Sequence, residues 1–126
     1  MHTVLVVDDE FGVPELLEFV LEEEGYLVVS ATNGRQGLQR LAEDPPPGLV
    51  LLDYMMPVLN GPGMLNAMRS GDYRSVPVVF MSSLDEEAVR RAAEHEFQAF
   101  LRKPFRPAEL ASAVRTALDA GRSNKT

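Results

Sequence analysis

Short hydrophobic runs alternate along this chain with segments whose apolar positions recur at helical spacing. Thr3–Val7 is β-branched and apolar, the pattern of a buried strand. Val13, Leu16, Leu17, Val20 and Leu21 then mark one face of a helix, with Glu15, Glu18 and Glu22–Glu24 elsewhere on it. Gly25 is placed to end that helix. Tyr26–Ser30 predicts a second strand, Gly34–Glu43 a weaker helix carried by Leu38 and Leu41, and Pro45-Pro46-Pro47 a break. Gly48–Leu52 predicts the third strand. Two prolines and two glycines in Met55–Gly63 predict a loop, with a short helix at Met64, Leu65 and Met68. Val76–Met81 predicts the fourth strand, Asp85–Glu94 a helix whose one large aliphatic is Val89, and Phe97–Leu101 the fifth strand. Pro107 fits the first turn of a last helix with the core face Leu110, Ala113, Val114, Ala117 and Leu118.

This alternation predicts an α/β fold, a doubly wound five-stranded parallel sheet with five helices over both faces. The flavodoxin-like strand order 2-1-3-4-5 is borrowed from known folds of that class. Residues 1–120 are expected to form one domain and residues 121–126 a flexible C-terminal tail.

In such a sheet the carboxyl ends of the strands open on one crevice. Asp8 and Asp9 end the first run, and Asp53 ends the third. Ser82 follows Val78-Val79-Phe80-Met81, and Lys103 follows Phe100-Leu101-Arg102. Three carboxylates, a lysine and a hydroxyl suit a divalent cation and a phosphoryl group. A carboxylate attacks an anionic phosphoryl donor poorly because like charges repel. An oxygen-liganded Mg²⁺ relieves that repulsion, and a lysine adds a point charge. The product would be an acyl phosphate. Taken singly, each residue has a plainer reading. An aspartate ending a strand is often a helix cap, a lone serine a turn residue, and a lone lysine a solvated charge. Their convergence overrides those readings. Met55 and Met56 read as packing residues, one bordering the site and one filling the core. His95, between Glu94 and Glu96, reads as solvated, and Phe11 as exposed for docking.

With 126 residues the chain favours a single domain with a real core. It has no cysteine, which removes disulfides and thiolate chemistry. No apolar run is long enough to span a bilayer. The N-terminus enters a strand directly, so no signal peptide and a cytoplasmic setting are expected. A net charge of −7 argues against direct nucleic-acid binding by this domain, but not against a basic partner domain.

Asp8-Asp9, then Asp53 with Met56-Pro57 and Asn60-Gly61, then Ser82, then Lys103-Pro104-Phe105, resembles the receiver domain of two-component response regulators, in its chemotaxis-regulator-like form. The resemblance covers essentially the whole chain. It implies that Asp53 accepts a phosphoryl group from a histidine kinase or histidine phosphotransfer protein. It further implies that Asp9, Asp53 and the Met55 backbone carbonyl ligate Mg²⁺ (or Mn²⁺), with Asp8 holding the ion through water. Lys103 would pair with the phosphoryl oxygens, Ser82 would hydrogen-bond to one of them, and Phe100 would swing inward. Lys103-Pro104 resembles the family's cis peptide. The output would be a downstream protein or a linked domain, reached through the surface of helix 4, strand 5 and helix 5, as a monomer or a phosphorylation-dependent dimer. Asn60 stands where the family often has aspartate, and Glu96-Phe97-Gln98-Ala99 where it has Gly-Ala.

Other functions fit less well. A phosphatase working through an aspartyl phosphate needs an acid two residues beyond its nucleophile, where this chain has Met55. A nucleotide module needs a glycine-rich turn after the first strand, where this chain has Asp8-Asp9-Glu10-Phe11-Gly12. A degenerate receiver that only binds would not need the acid, hydroxyl and lysine set intact. Residues two beyond Asp53 and Ser82 flank the path of hydrolytic water in the family. Here they are Met55 and Leu84, both apolar, which implies slow self-dephosphorylation.

Overall fold

The computed structural model describes residues 2–10 and 12–123, so Phe11 lies outside the described residues. Five strands alternate with five helices: β1 (Thr3–Val7), α1 (Val13–Glu23), β2 (Leu27–Ala31), α2 (Gly34–Leu41), β3 (Leu49–Asp53), α3 (Gly61–Ser70), β4 (Val78–Ser82), α4 (Glu86–Ala92), β5 (Ala99–Arg102) and α5 (Pro107–Ser123). The strands form one parallel sheet in the order β2-β1-β3-β4-β5, as expected.

Side chains alternate between the two faces of a strand, so each buried strand feeds two cores. Val4, Val6, Leu49, Leu51, Val79 and Met81 pack with Leu17 and Leu21 of α1 and Leu110, Val114 and Ala117 of α5. Leu5, Val7, Val50, Leu52 and Phe80 pack on the opposite face with Leu41 of α2, Met64, Leu65 and Met68 of α3, and Val89 of α4. All five residues of β3 and of β4 are buried, which is why those segments read as unbroken apolar runs.

Local chemistry sets several boundaries. Gly25 has φ +92°, its N–H donates to Glu22 O at 3.0 Å, and the Tyr26 N–H donates to Leu21 O at 3.1 Å. That pair of bonds is a Schellman stop, and it needs a residue at ease in the left-handed region. Because Tyr26 is spent on the stop, β2 starts one residue later than the pattern suggests. The helix α3 starts at Gly61, inside the expected loop. Asn60 Oδ1 accepts the Gly63 N–H at 2.8 Å and Pro62 sits in the first turn, so this proline starts a helix. Phe97 precedes β5: its ring stacks edge-on against Phe80 at 4.8 Å, and it is buried without joining the ladder. The helix α5 runs through Ser123, three residues into the segment expected as a tail. A glycine inside a helix costs only about 1 kcal/mol relative to alanine, too little to force a stop at Gly121. The remaining residues, 124–126, lie outside the described residues.

Candidate functional site

Register brings the functional ends together. Asp53 pairs with Met81, and Ser82 with Arg102, so the last residues of β3 and β4 and the first after β5 lie side by side. The Lys103 N–H donates to Ser82 O at 2.8 Å, which anchors the lysine backbone at the sheet end. The Lys103–Pro104 peptide is cis, as the resemblance implied. Behind Asp53 the backbone is crowded. A Cβ on Gly61 would lie 2.5 Å from the Asp53 carbonyl oxygen and 2.7 Å from the Phe80 ring, so any side chain there would force the backbone to shift.

Lys103 is the hub. Its Nζ donates to Asp8 Oδ2 at 3.3 Å, to Glu10 Oε1 at 3.2 Å and to Asp53 Oδ1 at 3.2 Å. Asp8 is wholly buried and Asp53 is 5 % exposed. The other Asp8 oxygen accepts the Glu10 N–H at 2.9 Å. Burial and the neighbouring Asp8 push the Asp53 carboxyl up to about 6; Lys103 opposes this and Asp9 adds to it. Burial by itself would lower the Lys103 ammonium, but Asp53 and Asp8 outweigh it, and its pKa is raised. One cation therefore faces more anionic charge than it can neutralise.

Of the expected residues, Asp8, Asp53 and Lys103 meet directly. Asp9 is exposed and does not pair with Lys103; it acts on Asp53 through space. Ser82 is 4 % exposed, and its Oγ accepts the Leu84 N–H at 3.0 Å, capping its own turn. Phe100 is half-buried against the core on the Phe80 face. Met55 is 72 % exposed while Met56 fills the core, as the pair of methionines suggested. Glu10 was missed. Its carboxylate lies within 4.8 Å of those of Asp8 and Asp53, and the sequence signal was its place directly after the acid pair. His95 is more engaged than expected: its Nε2 is 2.8 Å from Asn66 Oδ1, which ties the α4–β5 connection to α3.

Residues 4–115 match the family model of the response regulator receiver domain. The chain belongs to the response-regulator receiver family. It is 39% identical over 120 residues to the transcriptional regulatory protein CpxR homolog of Haemophilus influenzae, covering 94% of this chain and 51% of that protein. It is 34% identical over 116 residues to the alkaline phosphatase synthesis transcriptional regulatory protein PhoP of Bacillus subtilis, covering 91% and 48%. A receiver domain protein from Clostridium thermocellum superposes with a TM-score of 0.86 at 25% identity, covering 98% of both chains. This receiver thus spans about half the length of those two regulators, whose names describe the longer proteins. Phosphorylation-controlled switching is general to receiver domains, which take their phosphoryl groups from histidine kinases. Among the described residues no helix is long and apolar enough to cross a membrane.

Proposed function

We propose that this receiver is a phosphorylation-activated switch whose acceptor is Asp53. The observation that carries the reading is the Lys103 ammonium held at 3.2 Å from a nearly buried Asp53 carboxylate, with Asp8 beside both. In the reaction a carboxylate oxygen of Asp53 adds to phosphorus of a phosphohistidine on a kinase or phosphotransfer protein. The P–N bond breaks, its electron pair returns to the imidazole nitrogen, and Asp53 becomes an acyl phosphate.

The hard carboxylate oxygens suit Mg²⁺, with Mn²⁺ as a substitute. Asp8, Asp9, Asp53 and the Met55 carbonyl would hold the ion, which when bound offsets negative charge on the phosphoryl group. Lys103 pairs with the phosphoryl oxygens. Ser82 Oγ leaves the Leu84 N–H and donates to another, drawing the β4–α4 turn inward, and Phe100 follows into the space released. Reversing a mostly inactive population takes about 5.5 kcal/mol. Two or three charge-assisted hydrogen bonds at roughly 1.5–3 kcal/mol each supply it. The output surface is the face of α4, β5 and α5. It includes a groove of about 590 Å³ lined by Phe100, Arg102, Ser112 and Thr116, open to a downstream partner, a linked output domain or a second copy in a phosphorylation-dependent dimer. A cytoplasmic setting fits this role.

Intact mass after incubation with acetyl phosphate, with and without Mg²⁺, tests the reading. A single Mg²⁺-dependent phosphoryl adduct is expected on the wild type and none on Asp53→Asn. An adduct that survives in the variant, or none on the folded wild type even with a phosphohistidine donor, would overturn it.

A further inference from the structure

Glu10 has no role in the reading above, yet its carboxylate touches the residue on which that reading turns. An ammonium group has three N–H donors. In Lys103 all three face carboxylates, those of Asp8, Glu10 and Asp53, at 3.2–3.3 Å. A phosphoryl group approaching Asp53 therefore finds no free donor on this lysine and has to displace one partner.

The three partners are not equally displaceable. The Asp8 and Asp53 side chains are 0 % and 8 % exposed, and until the bond to phosphorus forms, freeing either from Lys103 would leave a buried charge without its counter-ion. The Glu10 side chain is 59 % exposed and can turn into water at little cost, as exposed ion pairs do. Its backbone is pinned meanwhile, because the Glu10 N–H donates to Asp8 Oδ1 at 2.9 Å. The carboxylate can thus swing away while its anchor stays in place.

We propose that Glu10 is a positioning residue: it occupies the third donor of Lys103 in the unphosphorylated protein and yields it to the incoming phosphoryl group. Acting through Lys103, it sets how readily the site takes small anions. The inference rests on Asp53 being the phosphoacceptor.

The test uses beryllofluoride with Mg²⁺ as a phosphoryl analogue, bound by wild type, Glu10→Gln, Glu10→Ala and Asp53→Asn and followed by titration calorimetry. Both Glu10 variants are expected to bind it on the order of threefold tighter, the scale of one exposed ion pair. The KM for acetyl phosphate should fall by a similar factor at nearly constant kcat. A defect of folding would move affinity the other way, and thermal unfolding of each variant checks for one. Unchanged or weaker beryllofluoride binding in the Glu10 variants, with normal binding by wild type, overturns the role of Glu10 alone. A loss of Mg²⁺ affinity larger than the gain in anion affinity overturns it too, in favour of Glu10 as a metal ligand. Binding by Asp53→Asn equal to wild type, or none by wild type, overturns the phosphoacceptor reading beneath it.

Discussion

The two ends of the sheet each carry a long cation, and they use it in opposite ways. At the amino end, Arg69 of α3 donates to the carbonyl oxygens of Tyr73, Arg74, Val76 and Glu96 and to Gln98 Oε1, at 2.8–3.4 Å. Gln98 Oε1 also accepts the Val78 N–H at 2.8 Å. These acceptors are neutral, and the guanidinium fork satisfies them together, stitching α3 to the starts of β4 and β5. Burial lowers the Arg69 pKa, with Glu96 opposing the shift. At the carboxyl end, Lys103 faces three carboxylates and leaves a surplus of negative charge. The first end is a closed polar network whose members are satisfied. The second holds Asp53 in its disfavoured charged form above pH 6 and so stores free energy for ligand binding. Stability and function are separated along one sheet.

The largest effect should come from opening the closed end. Arg69→Ala strands several backbone acceptors and is expected to cost about 3 kcal/mol, measured by urea unfolding. The remaining folded protein should still take phosphate on Asp53. A cost below 1 kcal/mol would mean that water replaces Arg69 freely and that the contrast is overdrawn.

Relieving the strained end should do the reverse. Folding raises the Asp53 pKa from an ordinary 3.8 to about 6, so the folded state binds more protons than the unfolded one between those values. The penalty is absent below pH 4, grows as pH rises from 4 to 6, and is complete above 6. Asp53→Asn, in metal-free buffer, is therefore expected to stabilise the protein by on the order of 2 kcal/mol at pH 7.5. The gain should vanish near pH 4. A gain that is independent of pH would show that charge is not its cause.

A smaller cost is expected where packing meets the site. Gly61→Ala would press a methyl group on the Asp53 carbonyl and the Phe80 ring, at about 1–2 kcal/mol in unfolding experiments. Phosphorylation should slow with it, because the strand end itself must shift. Wild-type phosphorylation in that variant would show that the shift is absorbed by α3.

The smallest effect on stability should come at the exposed rim. Met55→Asn with Leu84→Glu replaces side chains that are 72 % and 45 % exposed, and should change stability by less than about 0.5 kcal/mol. Phospho-Asp53 should decay faster in this double variant, because polar groups at those positions can orient water. Wild-type decay equal to or faster than that of the variant would remove the case for a long-lived signal.

Much of this was legible in the sequence because it is local. Unbroken apolar runs mark the buried strands β1, β3 and β4, Gly25 marks a helix stop, and the polar residues at the strand ends pointed to the site. Boundaries slipped where one residue serves two ends, as with Tyr26, or where a proline opens a helix, as with Pro62. Phe97 looked like strand because burial and ladder pairing share one hydrophobic signal.

The sequence by itself determined the fold class and pointed to Asp8, Asp53 and Lys103, since periodicity, caps and strand-end residues act over a few positions. Only the tertiary structure decided which partners those groups meet. Glu10 reaches Lys103 across 93 positions, Arg69 reaches Gln98 across 29, and Ser82 turns to its own loop when its alternatives lie across the crevice. Such contacts depend on strand order, register and competition for a limited number of hydrogen-bond donors, and no local pattern encodes the outcome.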